Sequence, residues 1–256
     1  TEAGVPGFRT PEACADAIAA AFARRVPRPA PPAARPAGGD GRLLDEMEAY
    51  ALLDRLGLPH APARAMDVGA VEGEGLAYPV AVKVLSADIP HKTDVGGVVL
   101  GVADAAGLAG AVARIRREVE ARKPGARVER VLVQEMARGV GEVLVGYRRD
   151  AQVGPLVMLA AGGVLAEITR DRSLRLAPVD EATAREMIGE VKTLKALAGY
   201  RGKPAGDLEA LARAIVALSR LATMEGDVVA EAEINPLVVR EAGEGVVAVD
   251  ALVRLA

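Results

Sequence analysis

Residues 79–101 read PVAVKVLSADIPHKTDVGGVVLG: a β-branched run, a polar loop with adjacent glycines, and a return to valine. The run from Tyr78 to Leu85 predicts a strand, with Lys83 set among Val and Ala neighbours. Two readings of that lysine stand. On an edge strand its ammonium simply faces water. On a face that lines a cleft it holds a phosphate, an attraction of about 4 kcal/mol at about 4 Å for an effective dielectric near 20. Gly96 and Gly97, beside Asp94, make either an ordinary turn or a nest whose successive N–H groups approach phosphate oxygens with no Cβ in the way. His91 lies between Pro90 and Lys92 and is one of 2 histidines. Neutral imidazole attacks phosphorus; a structural or merely phosphate-contacting histidine fits the loop equally. His60, after Gly57-Leu58-Pro59, reads as a surface turn residue.

Upstream of this stretch, Leu43, Met47, Tyr50 and Leu53 recur at helical spacing ahead of Gly57. Downstream, Leu108, Val112, Ile115 and Val119 mark one helix face behind Asp104, and a strand follows over 128–136. This pattern defines a first α/β lobe, 42–136. Runs at 142–147, 156–160 and 164–168 then predict a second sheet. Asp207 caps a helix striped by Leu208, Leu211, Ile215 and Leu218, and strands over 228–234 and 246–251 complete a second lobe, 137–256. Before both, Thr10 and Pro11 open another helix. The segment 27–41, which begins PRPAPPAARPAGG, reads as a semi-rigid polyproline spacer ending in a flexible glycine pair. It separates 1–26 from the rest.

Composition narrows the function classes. Of 256 residues, 51% are hydrophobic but only 2% aromatic, so the core is built from Ala, Val, Leu and Ile. With 32 Lys plus Arg against 35 Asp plus Glu there is no polybasic surface, which argues against a nucleic-acid partner. The longest apolar stretch, 153–166, is shorter than the roughly 20 residues of a spanning helix and is broken by Pro155, Gly162 and Gly163. A lone Cys14 and the lack of a basic-then-apolar opening point to a reducing cytoplasm.

Common nucleotide fingerprints are missing: no G-x-G-x-x-G follows a strand, and Gly202-Lys203 precedes Pro204 where a P-loop needs Ser or Thr. Asn235 and Asp250 lie on strands that a turn at 243–245 sets antiparallel. A carboxylate plus an amide oxygen suits octahedral magnesium completed by phosphates and water; a hairpin with polar ends fits the same spacing. Gln134, Glu135 and Glu142 stand beside the lobe junction, where a hinge offers backbone groups to adenine and a carboxylate to ribose.

In this order the segments resemble the ATP-grasp domain of the ADP-forming acyl-CoA synthetases, the acetate–CoA ligase (ADP-forming) family, and more distantly the nucleotide-binding subunit of succinyl-CoA synthetase. The resemblance runs from about Leu43 to Leu255. Its pieces are residues 79–101, 131–178 (VLVQEMARGVGEVLVGYRRDAQVGPLVMLAAGGVLAEITRDRSLRLAP), GYRGKPAGD at 199–207, EINPLVV at 233–239 and AVDALVRL at 248–255. Val153 and Ala161 depart from it, standing where an aromatic and a glycine are usual. It implies an α+β, ATP-grasp fold of two α/β lobes with the nucleotide site in the cleft between them, binding ATP or ADP and Mg2+.

Lys83 would hold phosphates, Gly96 and Gly97 would form the phosphate loop, and Gln134, Glu135 and Met136 would form the adenine hinge. Glu142 would meet the ribose, and Asn235 and Asp250 the magnesium. His91 matches the family's relay histidine, which passes a phosphoryl group between a phosphohistidine carrier and ADP. CoA-binding and CoA-ligase domains, in cis or as an alpha subunit, would supply acyl-CoA and CoA, and the full protein would be an oligomer. Residues 1–26 resemble the final helix of a preceding CoA-ligase domain. The competing expectation is a regulatory, ligand-sensing ATP-grasp domain in a synthetase-like region fused to a protein lysine acetyltransferase. Both readings share the nucleotide site.

Overall fold

The computed structural model describes residues 7–24, 41–89, 91–162, 171–199, 202, 204–226 and 228–256. The spacer at 27–41, Gly41 apart, and the strand expected over 164–168 lie outside them. Helix α1 (Pro11–Ala23) starts as its sequence predicts: Thr10 Oγ1 accepts the Ala13 N–H at 3.2 Å, and Pro11 occupies a position whose N–H the helix does not use. It belongs to a compact unit of its own, Thr1–Pro31, and carries Ile18 and Phe22 exposed.

The second unit, Pro32–Ala256, contains two antiparallel sheets. The smaller comprises β1 (Ala63–Asp67), β2 (Val80–Leu85), β3 (Val98–Val102) and β4 (Arg130–Glu135), in the order β1-β4-β2-β3. Helix α3 (Ala105–Arg122), capped by Asp104, covers one face and packs Leu108, Ile115 and Val119 against Val80, Val82, Val84, Val131 and Val133. Because side chains alternate along a strand, Lys83, Leu85, Leu132 and Gln134 take the opposite face. Lys83 pairs with Leu132, and Ala81 with Gln134. Since β2 is interior to its sheet, the reading of Lys83 as a water-facing edge lysine falls.

The larger sheet runs β10-β8-β5-β6-β7, with β9 also on β8. Its strands are β5 (Gly141–Asp150), β6 (Gly154–Ala161), β7 (Arg172–Leu176), β8 (Val229–Val239), β9 (Val246–Ala248) and β10 (Ala251–Leu255). Helices α2 (Glu46–Leu56), α4 (Glu181–Glu190) and α5 (Leu208–Ser219) share its core: Tyr50 and Leu53, Met187, and Leu211, Ile215 and Leu218 meet Val143, Val145, Leu159, Ile234 and Val253. Leu85 and Leu132 of the smaller sheet join this core. Helix α2 thus precedes the smaller sheet in sequence yet packs with the larger one, which brings its first turn against Lys83.

The single strand expected over 246–251 is two strands separated by a bend at Val249 and Asp250. There Val249 N–H donates to Pro236 O and Asn235 N–H to Asp250 O, each at 3.1 Å. The Val249 carbonyl instead serves side chains from α2 and β2.

Candidate functional site

A reciprocal capping box opens α2: Asp45 Oδ1 accepts the Glu48 N–H and Glu48 Oε2 accepts the Asp45 N–H, both at 2.9 Å. Between them Glu46, the first helical residue, turns inward, and its side chain has 0% exposure. Glu46 Oε1 accepts from Lys83 Nζ at 2.7 Å and faces the Tyr50 hydroxyl at 2.6 Å. Its Oε2 lies 2.9 Å from Lys92 Nζ, and that ammonium lies 2.9 Å from Asp250 Oδ1. Lys83 also donates to the Val249 carbonyl, which lies 2.9 Å from the Tyr50 hydroxyl. Gln134 Nε2 donates to that hydroxyl at 2.7 Å. A hydroxyl carries one proton, so Tyr50 donates at its shorter contact, to the charged Glu46.

Two carboxylates therefore face two ammonium groups in a cluster buried at Glu46, Lys83 and Lys92 and open to solvent at Asp250, whose side chain is 37% exposed. Burial opposes the ionisation of Glu46, but Lys83 and Lys92 together outweigh it and hold the carboxyl below its usual range. Burial and then the charge of Glu46 push Asp250 upward against the pull of Lys83 and Lys92. Burial likewise opposes the charge on Lys92, but Glu46 and Asp250 raise it. Burial, then Glu46, pushes Tyr50 far upward and keeps it a neutral phenol.

The structure brings Lys83 and Asp250 into this cluster, and Asn235 is tied to Asp250 through the backbone. Asn235 is exposed, and its Nδ2 donates to Glu233 Oε1 at 3.2 Å, leaving its amide oxygen outside that contact. Lys92 takes Oδ1 of Asp250 and leaves Oδ2. An amide oxygen on β8 and a carboxylate oxygen at the facing bend are of the kind that suits a hard divalent cation whose other ligands come from water or phosphate. Among the described residues no group of three or more His, Cys, Asp and Glu side chains could hold a metal alone.

His91 is exposed on the loop, immediately before Lys92. The glycines shape that loop. Gly96 has φ +70°, and a Cβ there would lie 2.7 Å from Glu118 Cβ; at Gly97 it would lie 2.6 Å from Val84 Cγ1 and 2.9 Å from the Lys92 carbonyl. Gly96 N–H donates to Thr93 O at 3.1 Å and Gly97 N–H to Lys92 O at 2.7 Å, so both amides are engaged inside the loop.

Gln134 turns toward Tyr50, and its Oε1 has no hydrogen-bond partner among the described residues. Glu135 is half-buried and Met136 exposed; their N–H groups donate to Pro62 O at 2.9 Å and Pro79 O at 3.4 Å. Glu142 is exposed and lines a recess of about 350 Å³ with Ala137, Gly139, Val140, Gly141 and Gly162. That recess shares no lining residue with the lysine cluster. His60 is half-buried rather than a surface turn residue, and its ring stacks on Tyr50 at 4.3 Å. Sequence reasoning missed Glu46, Tyr50 and Lys92. The Asp45-x-x-Glu48 box was a signal for the helix start, but no local pattern shows that Glu46 faces two lysines.

An ATP-grasp domain model matches residues 36–255, and the chain belongs to that family. Within it, the chain matches the beta-subunit region of ADP-forming acetate–CoA ligases. It is 41% identical over 203 residues to acetate–CoA ligase [ADP-forming] I of Archaeoglobus fulgidus, covering 78% of this chain and 29% of the relative. It is 37% identical over 218 residues to the beta subunit of acetate–CoA ligase [ADP-forming] I of Pyrococcus furiosus, covering 84% and 93%. This chain thus spans under a third of the single-chain ligase but nearly all of the separate subunit. Among solved structures it is similar to dinucleotide-forming acetyl-coenzyme A synthetase 1 of Ca. Korarchaeum cryptofilum in complex with coenzyme A, Ca-AMPCP and HgCl+, with 34% identity, TM-score 0.77, and coverage of 84% of this chain and 94% of that one. A second structure of that protein holds coenzyme A and Mg-AMPPCP, with its phosphohistidine segment pointing towards the nucleotide-binding site (33% identity, TM-score 0.70, coverage 84% and 93%).

Proposed function

We propose that this chain is the nucleotide-binding part of an ADP-forming acyl-CoA synthetase. It would transfer a phosphoryl group between a histidine and ADP while acyl-CoA, ADP and phosphate interconvert with carboxylic acid, CoA and ATP. The observation that carries the reading is the meeting of Lys83, Lys92 and Asp250 at one point, with His91 adjoining Lys92. The magnesium and AMPPCP bound by the Korarchaeum relative support it from outside the chain.

In this reading Lys83 and Lys92 neutralise charge on the phosphates, and Asn235 with Asp250 would hold magnesium. Bound magnesium would supply further neutralisation of the phosphate oxygens. The exposed His91 carries the phosphoryl group on a ring nitrogen; that N–P bond breaks as a bond to the terminal phosphate oxygen of ADP forms in line. Glu142 meets the ribose hydroxyls at its recess. The hinge at 134–136 acts through its backbone, because the Gln134 side chain is committed to Tyr50. Gly96 and Gly97 meet phosphate only after their turn bonds exchange.

The acyl chemistry belongs to CoA-binding and CoA-ligase domains, in cis or as an alpha subunit, and the assembled enzyme is an oligomer in the cytoplasm. Among the described residues no helix is long and apolar enough to cross a membrane. The regulatory acetyltransferase-fusion reading has no support from the relatives above, which carry ligase or synthetase names.

The test is phosphoryl transfer in the complete synthetase carrying His91→Ala. We expect nucleotide affinity within about threefold of wild type and labelled phosphate no longer reaching ADP. Transfer at the wild-type rate would remove His91 from the path.

A further inference from the structure

We propose that Glu46 is a positioning residue: it shares Lys92 with Asp250, giving that lysine a second carboxylate to rest on and so keeping Asp250 available to a divalent cation. The inference rests on the magnesium–nucleotide reading above and concerns the same site. Lys92 Nζ lies 2.9 Å from Glu46 Oε2 and 2.9 Å from Asp250 Oδ1, with 9% of its side chain exposed. Water therefore offers it little alternative partnership.

Glu46 is held for this task. The capping box fixes its turn, Lys83 and Tyr50 anchor Oε1, and Gln134 anchors Tyr50 in turn. Its second oxygen makes no hydrogen bond among the described residues and meets Lys92 as an ion pair at 2.9 Å. When a cation takes Asp250, Lys92 remains paired with Glu46 and need not enter water or repel the metal unopposed. Without the Glu46 charge, Asp250 is the remaining carboxylate partner of Lys92, and ammonium and metal compete for it. Lys92 is also the anchor nearest His91, so the same pairing fixes the base of the loop that carries the histidine.

The experiment is direct binding of Mn2+, as a probe of the magnesium site, to the whole chain, followed by electron paramagnetic resonance. Glu46→Gln keeps the shape and removes the charge; we expect it to weaken Mn2+ binding by about tenfold or more, as like-charge repulsion at this range implies. Adding Lys92→Met to it should return affinity to within about threefold of wild type, since the competing ammonium is gone. Lys92→Met alone should bind Mn2+ more tightly than wild type. Thermal melts report whether each variant folds; if Glu46→Gln does not, unchanged Mn2+ affinity in Lys92→Met alone still overturns the inference, because the ammonium then does not compete for Asp250.

Wild-type affinity in Glu46→Gln, or no recovery in the double variant, would overturn the inference while leaving the magnesium site standing. A wild-type chain that binds no Mn2+, alone or with ADP, would overturn both.

Discussion

Lys83 places its ammonium between Glu46 and the Val249 carbonyl, on an interior strand, with 5% of the residue exposed. Removing that charge leaves Glu46, fully buried, with a single ammonium partner and takes from the Val249 carbonyl its ammonium donor. Truncating one partner of a buried ion pair costs about 3–5 kcal/mol, because the surviving charge stays desolvated. Lys83→Met should therefore lower the unfolding free energy by about that amount in urea titrations at neutral pH. A loss below about 1 kcal/mol, typical of surface pairs, would show that this lysine is solvated and not part of a buried cluster. The same burial explains why the residue reads ambiguously in sequence: its strand neighbours declare an apolar setting, but the partner that neutralises it lies 37 positions away.

Helix α5 shows how an element is tied to its surroundings through one cap. Asp207 Oδ1 accepts the Ala210 N–H at 2.9 Å, while Oδ2 accepts Gly245 N–H at 2.9 Å and Gly243 N–H at 3.1 Å, joining the helix start to the turn between β8 and β9. The Ala210 N–H, reinforced by those of Gly245 and Gly243, holds this carboxyl below its ordinary value. A depressed folded-state pKa contributes stability above the unfolded value, about 3.9, and loses it as pH falls through the lower folded value. Asp207→Asn should cost about 1–2 kcal/mol at pH 7, with the gap to wild type shrinking as pH falls below the ordinary carboxylate range. A gap that does not change with pH would show that the carboxylate charge is not what the three amides recognise.

Caps of this kind were legible because they are local. Thr10, Asp104 and Asp207 start helices as their sequences predict, and Gly57 ends α2 with φ +71°. Short strands were not. β1 (ARAMD), β3 (VVLGV) and β7 (RSLRL) lie at sheet edges, too brief or too polar to show alternation, and distant partners fix them. The bend at 249–250 was hidden for a similar reason: VVAVDALV reads as one run, and it breaks where Val249 and Asp250 meet side chains from α2, β2 and the His91 loop.

At the scale of the molecule, the cluster forms because two sheets and a helix supply residues to one place. The smaller sheet gives Lys83 and Gln134, its loop gives Lys92 beside His91, α2 gives Glu46 and Tyr50, and the larger sheet gives Asp250 with Asn235 next to it. Lys83, Asn235 and Asp250 were identifiable from sequence because their motifs resemble a family's. Glu46 and Lys92 were not, since their importance lies in a contact 46 positions apart that only the docking of α2 creates.

The central claim is that this meeting point binds a metal-complexed nucleotide. Calorimetric titration of the chain with ADP, with and without magnesium, tests it most directly. Saturable binding should strengthen with magnesium in the wild type, and Asp250→Ala should abolish that strengthening. Binding that ignores magnesium, or that is the same in Asp250→Ala, would contradict the account.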